Sequence, residues 1–404
     1  MPPMVRVDDA KGAIRVTWSQ VHAFRMGRHH LDRPLPKAQL TRVVADACGV
    51  QAQVMAAAQL ALRVRVRALR LEDVQRVLWQ DRSVARAWCM RGTVHLVPSS
   101  DLALFVRGSS ARIEGRVAAW LNRAGVPRAS VERLIEAASV AMDRPRTRGE
   151  IAARIRDALG LPIEKAGSRG WGGRADAAGF RLGRTVITVP DIAFMASYRG
   201  LACFGPDEGQ GTTFVRPDAW LRAWRDLSVA EAEEALLRRY LRAFAPATVS
   251  DFATWTQMTL GHAQEVWSHL EDDLCPVTVD GGAAWVLRRD LSSLERAQLN
   301  QPTVRLLPYF DAFLMGHKER RHLVDGAHHK RIYRPAGWVY PAVLADGRVA
   351  GDWSYERRAR DLRVRVRPYQ PLDEGTKDLV RGEADDVARF LEMPEAHVTF
   401  AKVR

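Results

Sequence analysis

Lysine is nearly missing from this 404-residue chain: only seven of its 61 basic residues are lysine, and arginine supplies the rest. Against 47 acidic residues this leaves a formal charge of +14, spread along most of the chain. Such an excess suits a polyanionic partner, although a general preference for arginine over lysine produces the same surplus. Cysteine is scarce as well. Cys48, Cys89, Cys203 and Cys275 lie too far apart for a disulfide framework or a paired zinc spacing, and are expected to be buried thiols in a reducing cytoplasm. No stretch approaches eighteen uninterrupted apolar residues, and Met1–Gly12 has early charges and no apolar core, so neither a membrane span nor an export signal is expected. Disordered tails and low-complexity linkers are also absent from the pattern.

What is present is a repeating order of short helices followed by hairpins. A helix is expected to start at Thr17 or Ser19, where a hydroxyl can cap it, with a break at Pro34 and Pro36. Leu40, Val43, Val44 and Ala47 stand at helical spacing before Gly49, and a further helix is expected near 55–66 and another over 71–81. Residues 87–98 then form two short strands turning at Arg91-Gly92. Helices near 100–122, 128–142 and 147–159 lead through a Gly-rich loop, Gly167 to Gly173, to strands at 185–189 and 201–215. A third set runs from a Ser228-capped helix through helices starting at 247 and 261, to a hairpin turning at Asp280-Gly281-Gly282. From Val304 the texture changes to strands at 304–307, 338–344, 348–353 and 362–369, closed by a helix over 376–391. The length suits two or three packed units.

Several short segments carry a family likeness over nearly the whole chain. They are Gln51-Ala52-Gln53; Met90-Arg91-Gly92-Thr93-Val94-His95-Leu96-Val97-Pro98; Pro246-Ala247-Thr248; and Leu306-Leu307-Pro308-Tyr309-Phe310-Asp311. In these the sequence resembles the winged-helix DNA glycosylases of the AlkZ and YcaQ type, bacterial enzymes that unhook interstrand cross-links and excise N7-alkylated purines. The resemblance implies an α+β fold of three tandem winged helices arranged around a C-terminal β-barrel. Its expected divisions are 1–99, 100–226 and 227–300 for the winged helices and 301–404 for the barrel and closing helix. It also implies a monofunctional, cofactor-free enzyme, acting as a monomer on double-stranded DNA in the cytoplasm at the nucleoid. The family's catalytic motif is Gln, an apolar residue, then Gln or Asp; here the third place is Gln53, as in the AlkZ branch, and Ala52 is smaller than usual for the middle.

Two amides suffice only for a special substrate. Glycoside cleavage normally needs one carboxylic acid to protonate the leaving group and a second carboxylate to assist water. An N7-alkylguanine already carries a positive ring, so leaving-group protonation becomes unnecessary. What remains is to place a water beneath C1′ and tolerate the cationic sugar, and a Gln oxygen can accept a hydrogen bond from that water. On an extended segment, residues two apart point the same way, whereas on a helix they diverge by about 200°. Catalysis by Gln51 and Gln53 therefore demands non-helical geometry. Capping or bonding the backbone would occupy the same amides otherwise.

Arg91 and His95, on the first hairpin, are candidates for duplex contact, with a solvated turn and a packed histidine as the plainer alternative. The densest basic run, from His317 through Lys318, Arg320, Arg321 and His322 to His328, His329, Lys330 and Arg331, is expected to meet the DNA backbone, for example as an inserted hairpin, or to be simply an exposed loop. No cysteine or carboxylate recurs at ligand spacing, so no metal is expected. Asp311 either orients substrate or caps a turn. The Gly167–Gly173 loop lacks the ending of a phosphate-binding loop, and Trp120, Trp171, Trp220 and Trp255 are expected to anchor cores. A non-catalytic winged-helix regulator, with a structural Gln pair, is the alternative function.

Overall fold

Side-chain caps mark where several helices of this protein begin. The computed structural model describes residues 14–166, 177–209 and 211–403. The N-terminal segment before Ile14, the Gly167–Gly173 loop and Trp171 lie outside the described residues. Thr17 accepts from the Gln20 amide while the Gln20 side chain returns to Thr17 N, forming a capping box for the helix Trp18–Arg28. Equivalent boxes, Thr147 with Glu150, Thr188 with Asp191 and Ser228 with Glu231, start Arg148–Leu159, Val189–Ser197 and Val229–Phe244. Each ties up backbone donors that the first helical turn leaves unpaired.

The chain forms two compact units of α+β structure. One gathers residues up to Val74, Leu237–Trp255 and Leu260 onward; the other holds Gln75–Leu236 and Thr256–Thr259. In the second unit, Val84–Trp88 and Val94–Pro98 pair antiparallel, as expected for 87–98, and Val84–Trp88 continues through Cys203–Phe204 to Thr213–Val215 and Arg146–Thr147. Trp88 packs there against Phe204, Phe214 and Phe194, with ring centroids 4.5, 5.6 and 5.7 Å away.

The first unit is built on two sheets. In one, the expected hairpin Leu274–Val279 and Gly282–Leu287 gains a parallel strand, Ile14–Val16. The other runs, in hydrogen-bonded order, Val304–Leu307, Ala342–Ala345, Arg348–Arg357, Leu362–Pro368 and Ala396–Phe400, the last pair parallel. Leu362–Pro368 alternates strictly, valines inward and arginines outward, as a sheet with one solvated face requires. The helix Glu374–Phe390 lies against both Val304–Leu307 and Ala396–Phe400, the first and last strands of that order. Beneath the sheet, Met26, Leu31, Leu307, Leu314, Ile332 and Leu344 share one buried core.

Among the described residues no helix is long and apolar enough to cross a membrane.

Candidate active site

The segment carrying the two glutamines is extended because the preceding helix is stopped abruptly. Leu40–Asp46 ends at Ala47, then Cys48 and Gly49 take φ of 56° and 84°, and the Gly49 amide reaches back to Val44 O at 3.0 Å. Two successive left-handed residues turn the chain out of the helix, and Gly49 does so without a Cβ penalty. Val50–Gln51 is then strand, Gln53 stands in a bend, and the next helix begins only at Met55. The segment carrying the pair is thus non-helical.

Burial ends between Ala52 and Gln53. Ala52 is wholly buried, Gln51 is 8% exposed and Gln53 is exposed. The small middle residue therefore packs inward, and the glutamines flank it with Gln53 open to solvent.

Past the helix Met55–Arg63, two arginines bolt this segment to the unit, and the sequence reading passed over both. Arg63 donates to Glu383 and Asp386 at 3.1 and 3.2 Å and to Leu306 O. Arg65 forms two bonds to Asp311, of 2.8 and 2.7 Å, and a third to Ala61 O. Asp311 is completely buried and also caps the following turn at Phe313 N, which settles its role as structural. The signal available in sequence was two arginines inside the otherwise apolar run 60–66.

The hairpin candidates divide. His95 is 1% exposed, its Nδ1 is 2.9 Å from Thr93 O, and its Nε2 lies 3.1 Å from Arg91. Burial and the nearby Arg91 charge push its pKa down to about 3, so the ring is neutral. Direct contact between His95 and a duplex is therefore corrected: the ring is interior and braces Arg91, which is half-buried at the turn with φ of 61°.

The basic run is not the inserted hairpin expected. It is irregular, with a 3-10 turn at Gly326–His328 and one helical turn at His329–Ile332, and several of its residues are held by aromatic, carbonyl and carboxylate partners. His317 is buried against Phe244 O, Arg320 lies over the Tyr333 ring at 4.1 Å, and His328 stacks on Tyr369 at 4.1 Å. His329 sits 4.7 Å from the Tyr333 ring, and Arg331 bonds Asp352 at 3.0 Å. Lys318, Arg321 and Lys330 remain exposed. Trp255 is a core anchor, whereas Trp120 and Trp220 are half-buried, the latter beneath Arg82 at 3.6 Å.

Comparison with known proteins agrees with the motif. The family described as DNA glycosylase AlkZ-like matches residues 44–390. An interstrand DNA cross-link repair glycosylase of Streptomyces sahachiroi is 29% identical over 384 residues, covering 93% of this chain and 97% of that protein. The structure of the Streptomyces sahachiroi DNA glycosylase AlkZ superposes with a TM-score of 0.78 at 27% identity, covering 96% of this chain and 100% of the other. With its Gln51-Ala52-Gln53 segment inside the matched range, the chain belongs to the AlkZ-like family of DNA glycosylases.

Proposed function

We propose that this DNA glycosylase hydrolyses the N-glycosidic bond of cationic N7-alkylated purines in double-stranded DNA, including bulky adducts and interstrand cross-links, and leaves an abasic site. Gln51 and Gln53 hold one water by their side-chain oxygens below C1′. As the bond from C1′ to the base breaks, its electron pair neutralises the cationic ring, and the departing purine needs no proton. The water oxygen closes on C1′, and its surplus proton passes to solvent. The amide dipoles face the cationic sugar in between. No cofactor takes part.

The observation that carries this assignment is the non-helical Gln51-Ala52-Gln53 segment, with Ala52 packed inward and Gln53 at the surface. The cross-link repair activity in the name of the Streptomyces relative supports the same substrate class. Exposed Lys318, Arg321 and Lys330, with Arg91, supply backbone contacts, and the remaining members of the basic run support them from within. The three helix-and-hairpin segments 1–99, 100–226 and 227–300 serve as winged helices around a barrel formed by 301–404, and the enzyme works as a monomer on DNA at the nucleoid.

Single-turnover excision from DNA bearing N7-methylguanine tests the proposal. Gln51→Ala and Gln53→Ala are expected to slow base release by about 10² or more while DNA affinity stays within a factor of about two. Wild-type rates in both variants would overturn the assignment.

A further inference from the structure

A buried positive charge in a protein interior is normally paired with a carboxylate, since taking it out of water is otherwise costly. Arg25 has the Asp251 carboxylate nearby but forms no hydrogen bond to it. It is 4% exposed, and its partners are neutral: Ala245 O at 3.3 Å, Pro246 O at 2.7 Å and the His322 ring at 2.9 Å. Burial lowers its pKa only to about 10, so the guanidinium stays charged at neutral pH.

Arg25 forms part of the wall of a cavity of about 600 Å³ that also meets Trp18, His317, Arg321, His322 and Arg348, with the hairpin tip Val279–Ala284 on one side. That volume falls in the usual range for small-molecule sites. Arg321 and Arg348 are exposed cations with no ion pair among the described residues. His317 is 5% exposed, and its Nδ1 has no hydrogen-bond partner. Trp18 and His322, which both line the cavity, stack at 4.7 Å with planes 6° apart, so one side of it is aromatic. Because Arg25 donates to His322 Nε2, that ring is neutral with its proton on Nδ1, and burial beside Arg25 holds His322 at a pKa of about 2.

Three acids also line the cavity. Asp251 is already engaged, accepting from Thr248 N and Oγ1 and from Lys318 N. Asp280 and Glu319 are exposed at the rim, where their charges are screened and their side chains can turn to water. The interior thus holds the Arg25 cation, whose nearby countercharge Asp251 makes no hydrogen bond to it, a histidine nitrogen lacking a partner, and an aromatic side beside apolar Val279 and Ala284.

We propose that this cavity binds a nucleotide, its phosphate facing Arg25, Arg321 and Arg348 and its base lying along the Trp18–His322 wall. The assignment is independent of the Gln51–Gln53 chemistry. A nucleotide reaches the cavity either as a free monophosphate or as an unstacked member of a DNA strand, and the phosphate chemistry is shared.

Isothermal titration of the full chain at low ionic strength with dGMP, deoxyguanosine and inorganic phosphate, each alone, tests the site. One dGMP per chain is expected, with deoxyguanosine and phosphate each weaker by about tenfold or more. Arg321→Gln with Arg348→Gln, both exposed and unlikely to disturb folding, is expected to weaken dGMP by about tenfold, and Trp18→Ala to weaken it further. Arg25→Lys, checked for folding by its thermal midpoint, is expected to lose affinity even where folded. A short single-stranded oligonucleotide that displaces dGMP assigns the site to a strand nucleotide; an oligonucleotide that binds without displacing it assigns the site to the free monophosphate. Absence of saturable dGMP binding overturns the proposal, as does binding that the Arg321/Arg348 double variant leaves unchanged, or phosphate binding as tightly as dGMP. Wild-type excision of N7-methylguanine alongside no dGMP binding overturns this site alone and leaves the excision assignment standing.

Discussion

Arg65 and Arg25 are buried to a similar depth in the same unit, at 1% and 4% exposure, yet they are compensated in opposite ways. Arg65 forms a two-bond fork with the fully buried Asp311, and every charge there has its counterpart. Arg25 has only carbonyl oxygens and a neutral ring. The first arrangement is a closed structural joint, holding the helix after the Gln segment to the loop leading into the sheet. The second leaves Arg25 with neutral hydrogen-bond partners and Asp251 as an unbonded countercharge, so its fork is not closed by a carboxylate.

Removing one side of the closed joint should have the largest effect on stability. Asp311→Ala strands the Arg65 charge in the interior and is expected to cost about 3–5 kcal/mol, read as a lowered urea midpoint with unchanged slope. A loss below about 1 kcal/mol would erase the contrast with Arg25. Arg25→Met, by comparison, removes a charge that no carboxylate hydrogen-bonds and leaves the Ala245 and Pro246 carbonyls and His322 Nε2 unsatisfied, so about 1–3 kcal/mol is expected in the same titration. If it equals or exceeds Asp311→Ala, Arg25 is a structural joint too.

Acid separates the two sites next. Burial and the Arg25 and Arg348 charges hold His22 at a pKa of about 4, and burial with Arg25 holds His322 near 2. Both lie below the ordinary histidine value of about 6.5, so the unfolded chain takes up protons first as pH falls. Stability contributed by these neutral rings is intact above about pH 6.5 and is lost progressively toward pH 4, where His22 begins to protonate in the folded state. Urea midpoints at pH 7.5 and 5 should show this fall, and Arg25→Met should flatten it by removing one repelling charge. The smallest effect is expected at Lys330, exposed and outside both sites. Lys330→Ala should leave stability within about 0.5 kcal/mol and reduce the salt dependence of DNA binding by about one unit of slope.

Local chemistry made much of the fold readable. The Thr17 and Ser228 caps, the stop at Gly49 and both hairpins, near 84–98 and 274–287, rest on turn and cap residues adjacent in sequence. The non-helical setting of Gln51 and Gln53 followed from the same Gly49 signal. What escaped was long-range. Strand Ile14–Val16 has a partner far along the chain, and Ala396–Phe400 depends on parallel pairing with Leu362–Pro368 across an intervening helix; neither carries a turn signature. The basic run misled for a related reason. Charge density at 317–331 says nothing of which residues find aromatic or carbonyl partners, and His317 and His328 found them. Buried arginines are equally silent in sequence, since an acid such as Asp311 is paired by the fold and not by proximity along the chain.

The pairing of Ile14–Val16 with Leu274–Val279 also sets an order of events during synthesis. Its two partners are separated by roughly 260 residues, and closing so long a loop is entropically slow. On the ribosome, the earliest ordered strand must wait until about two-thirds of the polypeptide has emerged before its amides find acceptors. Meanwhile the unit holding Gln75–Leu236 and Thr256–Thr259 is complete, so a nascent chain stalled just before Leu274 emerges should protect that block from protease while the segment carrying Ile14–Val16 remains cleavable.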